Sequence, residues 1–189
     1  MKPSDVTLLV VLGTADSGPV SVEELVEAAR LLAPQDWQPT AETIRLCSEQ
    51  AVADGLLQAA PGDQTPSGVL TTTAAGRAVI LDLLRQPIDA SCGRLTGACM
   101  SAKVCFLHHL PMAERGRSSQ SLGLLYQSAI NQLRRVDPPW LPRTECATVA
   151  FRHEVMRMES EFCWIDAMRR ACSASGLSSP VSRLHKDAP

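Results

Sequence analysis

Apolar residues recur at helical spacing through most of this chain, and the pattern gives way only once to two short strand-like runs. The first helix is expected over Ser4 to Thr14, packed by Val6, Leu9, Val10 and Leu12, and broken by the turn chemistry of residues 16–19, Asp-Ser-Gly-Pro. The next opens SVEELVEAARLLA, with Ser21 as N-cap and Glu24 three residues on, a capping box in which each residue bonds the other's backbone N–H. Val22, Leu25, Ala29 and Leu32 recur on one face before Pro34 stops it. Thr40 starts a third helix, TAETIRLCSEQAVADGLL, that buries Ile44, Cys47, Ala51 and Ser48 and shows Glu42, Thr43, Arg45, Glu49 and Gln50. Asp54-Gly55 ends it, Leu56-Leu57 begins a strand, PGDQTPSG is turn chemistry, and Val69-Leu70-Thr71 returns as a second strand. Thr73 then caps AAGRAVILDLLRQ, whose apolar face is Ala74, Val79, Leu81 (or Ile80) and Leu84.

Pro87 opens the second half. A helix is expected over residues 93–110 with Leu95, Cys99, Ala102, Phe106 and Leu110 on one face. A longer one follows over 112–136 with Leu122, Leu125, Ala129, Ile130 and Leu133 inside, ended by VDPPWLP. The last runs from about Thr144 to Ser173, about 45 Å at 1.5 Å per residue. Its stripe is Cys146, Val149, Ala150, Met156, Phe162 (or Cys163), Ala167 and Cys172. A helix so long on a domain so small cannot cover its stripe with its own chain, which argues for a partner helix from a second copy. The predicted fold is mainly α: a winged helix-turn-helix over residues 1–87, an antiparallel helical dimerisation region over 88–173, and a disordered Ser/Pro-rich tail over 174–189.

Charge complicates a fold shaped for phosphate. Residues 1–87 hold five basic side chains (Lys2, Arg30, Arg45, Arg77, Arg85) against eleven acidic ones, a net of −6, while residues 88–189 hold thirteen against nine, a net of +4. Affinity for duplex rests on cations that displace condensed counterions, and roughly two arginines per subunit are placed to do so. No run of about 18 apolar residues spans a membrane. The seven cysteines are odd in number and never form CxxC, which suits free thiols in a cytoplasmic protein.

Four stretches resemble the PadR family of transcription regulators, within it the branch related to virulence activators. These are VTLLVVLG, TIRLCSEQAVADGLL, LTTTAAGR, and LLRQPIDASCGRLTGACMSAKVCFLHHLP with its long helix pair. The resemblance implies a homodimer that sets a recognition helix in each major groove of double-stranded DNA and a wing on the flanking backbone. Carried over, Gln38 and Thr40 sit at the helix entry near phosphate, Thr43 and Arg45 face base edges, and Arg77 lies near the base of the wing. The family's wing usually carries Arg or Lys between its strands, and APGDQTPSG has none.

The rival is a winged-helix adaptor or anti-regulator that binds a protein partner through its acidic N-terminal half. Cys92, Cys99, Cys105, His108 and His109 superficially suggest a metal cluster. Six residues, about 600° of helix, separate Cys99 from Cys105, so core packing is the plainer reading and no metal or other cofactor is expected. Arg115, Arg117, Arg134 and Arg135 read as a solvated face, and the Met156, Met158, Phe162 and Trp164 group as core rather than a ligand cavity. No nucleophile–base pair, phosphate loop or paired carboxylate indicates an enzyme.

Overall fold

The computed structural model describes residues 1–32, 38–60, 68–88, 95–135 and 144–174. The expected wing tip, Cys92, the VDPPWLP segment and the tail beyond 174 lie outside them. The chain divides into two compact units, Met1–Pro111 and Met112–Pro189.

The N-terminal unit is built round α1 (Pro3–Asp16), which is apolar on nearly every side and buries Val6, Leu9, Val10, Val11, Leu12 and Ala15. A helix without a polar face belongs at the centre of its unit. Around it pack α2 (Val22–Leu32), α3 (Ala41–Ala53), β2 (Leu70–Thr72), α4 (Ala74–Arg85) and α5 (Leu95–Cys105). The capping box of α2 forms as expected: Ser21 N donates to Glu24 Oε2 at 2.8 Å and Glu24 N to Ser21 Oγ at 3.2 Å. Those bonds hold the Glu24 carboxyl below its ordinary range.

β1 (Leu57–Ala59) pairs antiparallel with β2, Leu57 opposite Thr72 and Ala59 opposite Leu70. A third, one-residue strand goes beyond the sequence reading: Val20 exchanges both backbone bonds with Leu70, at 3.0 and 2.7 Å. The threonines of LTTTAAGR each have a separate task. Thr72 Oγ1 donates to Leu12 O at 2.7 Å, tying the wing to α1. Thr73 caps α4 by accepting from Gly76 N and itself donates to Gly55 O at 2.7 Å. Gly76 is required because a Cβ there would meet Leu56 O at 2.3 Å. The buried face of α4 is Gly76, Ile80, Leu83 and Leu84, so the alternative Ile80 is correct, whereas Ala74 is exposed and Leu83 was not foreseen.

The single helix expected over 93–110 is shorter. It ends at Cys105, and a 3-10 turn spans Leu107–His109. Leu110 is extended ahead of Pro111, as the proline ring requires. This helix packs with the N-terminal unit, so the compact division falls after Pro111 rather than at residue 87. Two contacts hold it there. Gly13 leaves room for the Phe106 ring, which a Cβ would meet at 2.4 Å. Lys103, buried, donates Nζ to Leu84 O at 2.7 Å and also to Gln86 O, filling orphan carbonyls at the end of α4.

In the C-terminal unit α6 (Met112–Arg135) and α7 (Glu145–Ala174) pack together. Leu122, Tyr126, Ile130 and Ile165 are buried between them, and the Tyr126 phenol, pushed up by burial, bonds Glu161. Arg134 pairs with Glu159 across the two helices. On α7, Phe151, Val155, Met158, Phe162 and Ile165 are the described apolar residues that are half-buried or buried, while Cys146, Val149, Met156, Cys163, Trp164 and Ala167 are exposed. Among the described residues of the expected stripe, most are therefore on the outer face, with Phe162 half-buried; Ala150 and Cys172 lie outside the described side chains.

Candidate nucleic-acid interface

The outward helix of the N-terminal unit is α3, and local chemistry fixes both its ends. Thr40 is extended at the N-cap and accepts from Thr43 N at 3.1 Å, while the two threonine hydroxyls lie 2.8 Å apart. At the other end Gly55 has φ +70°, the left-handed conformation favoured by glycine, and Leu56 N reaches back to Ala51 O at 2.8 Å. Ile44, Ser48 and Ala51 face inward, with Ser48 Oγ bonded to Ile44 O at 2.9 Å. Cys47, expected among them, is half-buried.

Arg45, the expected base reader, is exposed but occupied. Its Nε and Nη2 bind both carboxylate oxygens of Glu42 at 3.0 and 2.6 Å, and Nη1 binds Glu49. The side-chain bond to Glu42 raises the guanidinium's affinity for its proton and lowers that of the Glu42 carboxyl. Two carboxylates thus surround one cation, leaving this stretch of α3 net negative. The signal was present in the sequence: glutamates three residues before and four residues after an arginine are helix neighbours.

The other expected positions are spread over the unit. Gln38 and Thr40 are exposed just ahead of α3, and Thr43 is exposed in its first turn. Arg77 stands in the first turn of α4, where its Nε donates to Asp16 Oδ1 at 2.6 Å, and His109 Nδ1 lies 3.4 Å from the other oxygen of that carboxylate. Arg77 thereby ties the end of α1 to the start of α4. Sequence reasoning missed the apolar side chains on the outside of α3: Leu46 is 51% and Val52 42% exposed.

Among the described residues no group of three or more His, Cys, Asp or Glu could hold a metal ion. Cys99 is buried in the core and burial pushes the Cys105 thiol up. Met156 and Trp164 lie on the exposed side of α7 while Met158 and Phe162 are half-buried, so the four do not line one cavity. No described helix is long and apolar enough to cross a membrane.

No protein-family model matches the chain, and no curated protein matches it. Among solved structures it is similar to Bacillus subtilis PadR, at 14% identity over 93% of this chain and 99% of that one, with a TM-score of 0.42. The structure of that protein in complex with p-coumaric acid gives the same figures. Its complex with operator DNA matches at 15% identity over 87% of this chain and 98% of that one, with a TM-score of 0.41.

Proposed function

We propose that the protein is a cytoplasmic, homodimeric transcription regulator of the PadR-like kind that sets α3 of each subunit on a pseudo-palindromic duplex site. The observation that carries this reading is the presentation of α3: capped at Thr40, stopped at Gly55, and backed by α1 with its polar side outward beside a β-hairpin. In this arrangement Gln38 and Thr40 meet phosphate at the helix entry, where backbone N–H groups favour anions. Thr43 and Arg45 face base edges, and Arg77 flanks the wing. Dimerisation is supported by the outer stripe of α7, where Val149, Met156 and Trp164 stand exposed along one helix.

Arg45 sets the terms of such binding. To take the O6/N7 edge of a guanine it must leave Glu42 and Glu49, whose carboxylates then face the phosphates. The affinity is accordingly low, and with few cations to release counterions it falls only shallowly with salt. The test is retention of the DNA upstream of the protein's own gene over a range of salt. Specific binding abolished by Arg45→Ala supports the regulator, and no retention even at low salt overturns it.

A second reading is favoured by the same helix. Arg45 held between two glutamates, with Leu46 and Val52 exposed on that helix, makes an acidic and apolar surface suited to a basic protein partner. An adaptor of this kind retains no DNA, and charge reversal at Glu42 and Glu49 releases its partner.

A further inference from the structure

A groove of about 580 Å³ opens in the N-terminal unit between the start of α1 and α3. Its apolar wall includes Leu8, Pro39, Cys47, Ala51 and Leu56. Sites for small molecules are of this kind, roughly 300–1,000 Å³, mostly apolar, with a few polar groups that orient the ligand. Burial pushes the Cys47 thiol up to about 11, so at neutral pH it is an uncharged part of the wall. The polar residues of the rim are neutral except one: Asp54 is the only charged side chain among the described lining residues, and its Oδ1 accepts from Gln50 Nε2 at 2.8 Å.

The chemistry of the lining selects the ligand. At the Asp54 end of the groove a carboxylate or phosphate meets that charge and finds no cation among the described lining residues. An apolar body fits the wall, and a positive charge at the open end of α3 is complemented by Asp54 beside the C-terminal end of that helix, which itself favours cations. We propose that this groove binds an apolar small molecule carrying a protonated amine, the hydrocarbon lying against Leu8, Cys47 and Ala51 and the ammonium directed to Asp54. Thr40 and Thr43 belong to the same lining, one to two helical turns from Cys47 toward the entry of α3.

The experiment is a calorimetric titration of the full chain with three naphthalene probes of equal bulk: 1-naphthylmethylamine, 1-naphthalenemethanol and 1-naphthoate. The amine saturates at one site per chain. The alcohol binds about three-fold more weakly, the size of one exposed ion pair, and the carboxylate more weakly still. Asp54→Asn makes amine and alcohol equal. Cys47→Trp fills the wall and weakens the amine by about ten-fold or more. Because that position is half-buried, Thr43→Trp, on the exposed rim, is the second plug, with the fold of both variants verified by circular dichroism. The proposal is overturned if no probe saturates, if the carboxylate binds as tightly as the amine, or if the amine binds both plugged variants unchanged. No nucleic acid is present, so this result and the DNA reading stand or fall separately.

Discussion

Two helices of this chain, one apolar nearly all round and one mixed with charge, meet different fates. α1 is short, apolar on nearly every side, and covered by five other elements of its own unit. α7 has thirty residues and two apolar sides; one packs on α6 while Val149, Met156 and Trp164 on the other remain exposed. The difference teaches that apolar periodicity states what must be covered, not what covers it. A central helix is covered by its own unit, and a long peripheral one is left with surface suited to another chain.

The comparison is broken most severely at α1. Leu9→Ala removes a fully buried side chain and is expected to lower stability by about 2–5 kcal/mol, read by urea denaturation. An effect below about 1 kcal/mol would show that α1 is less central than its burial implies.

Next in size is α7. Met156→Glu with Trp164→Glu is expected to weaken self-association by about 100-fold or more, measured by sedimentation, while the helix content of the subunit is kept. A wild-type chain that is monomeric at high concentration removes the dimer from the proposed function.

Lys103→Met tests how α5 is joined to the N-terminal unit. It strands the carbonyls of Leu84 and Gln86 and is expected to cost about 2 kcal/mol. Burial lowers the Lys103 ammonium from 10.5 to about 8. The unfolded chain therefore holds more protons than the folded one between those values, and stability contributed by this group rises with pH across that window. The variant should flatten that rise.

The smallest expected effect is on α3. Glu42→Gln with Glu49→Gln frees Arg45 and removes two negative charges from the proposed DNA face, so duplex affinity should rise by about ten-fold at low salt. Unchanged or weaker retention would favour the adaptor.

Much of the fold is legible because its signals are local. Ser21 with Glu24, Thr40, Gly55 and Thr73 mark ends that depend on residues one to five positions away. The Arg45 cluster is of the same kind, with partners at i−3 and i+4. Less legible were Ala74, placed on the buried face of α4 but exposed, and the single helix over 93–110, which stops at Cys105. A helical period within α4 or α5 does not say which side a neighbour will cover.

The sequence alone determined a mainly helical chain with one small wing, the capped starts of α2, α3 and α4, and the acidic balance of its first half, because backbone preference and charge are properties of short segments. Only the tertiary structure decided that Arg77 meets Asp16, that Thr72 bonds Leu12, that Val20 joins the sheet, and that Lys103 brings α5 to the end of α4. These partners lie 19 to 61 residues apart. Each depends on the apolar faces that bring these distant segments together, because burial makes an unbonded carbonyl or carboxylate costly.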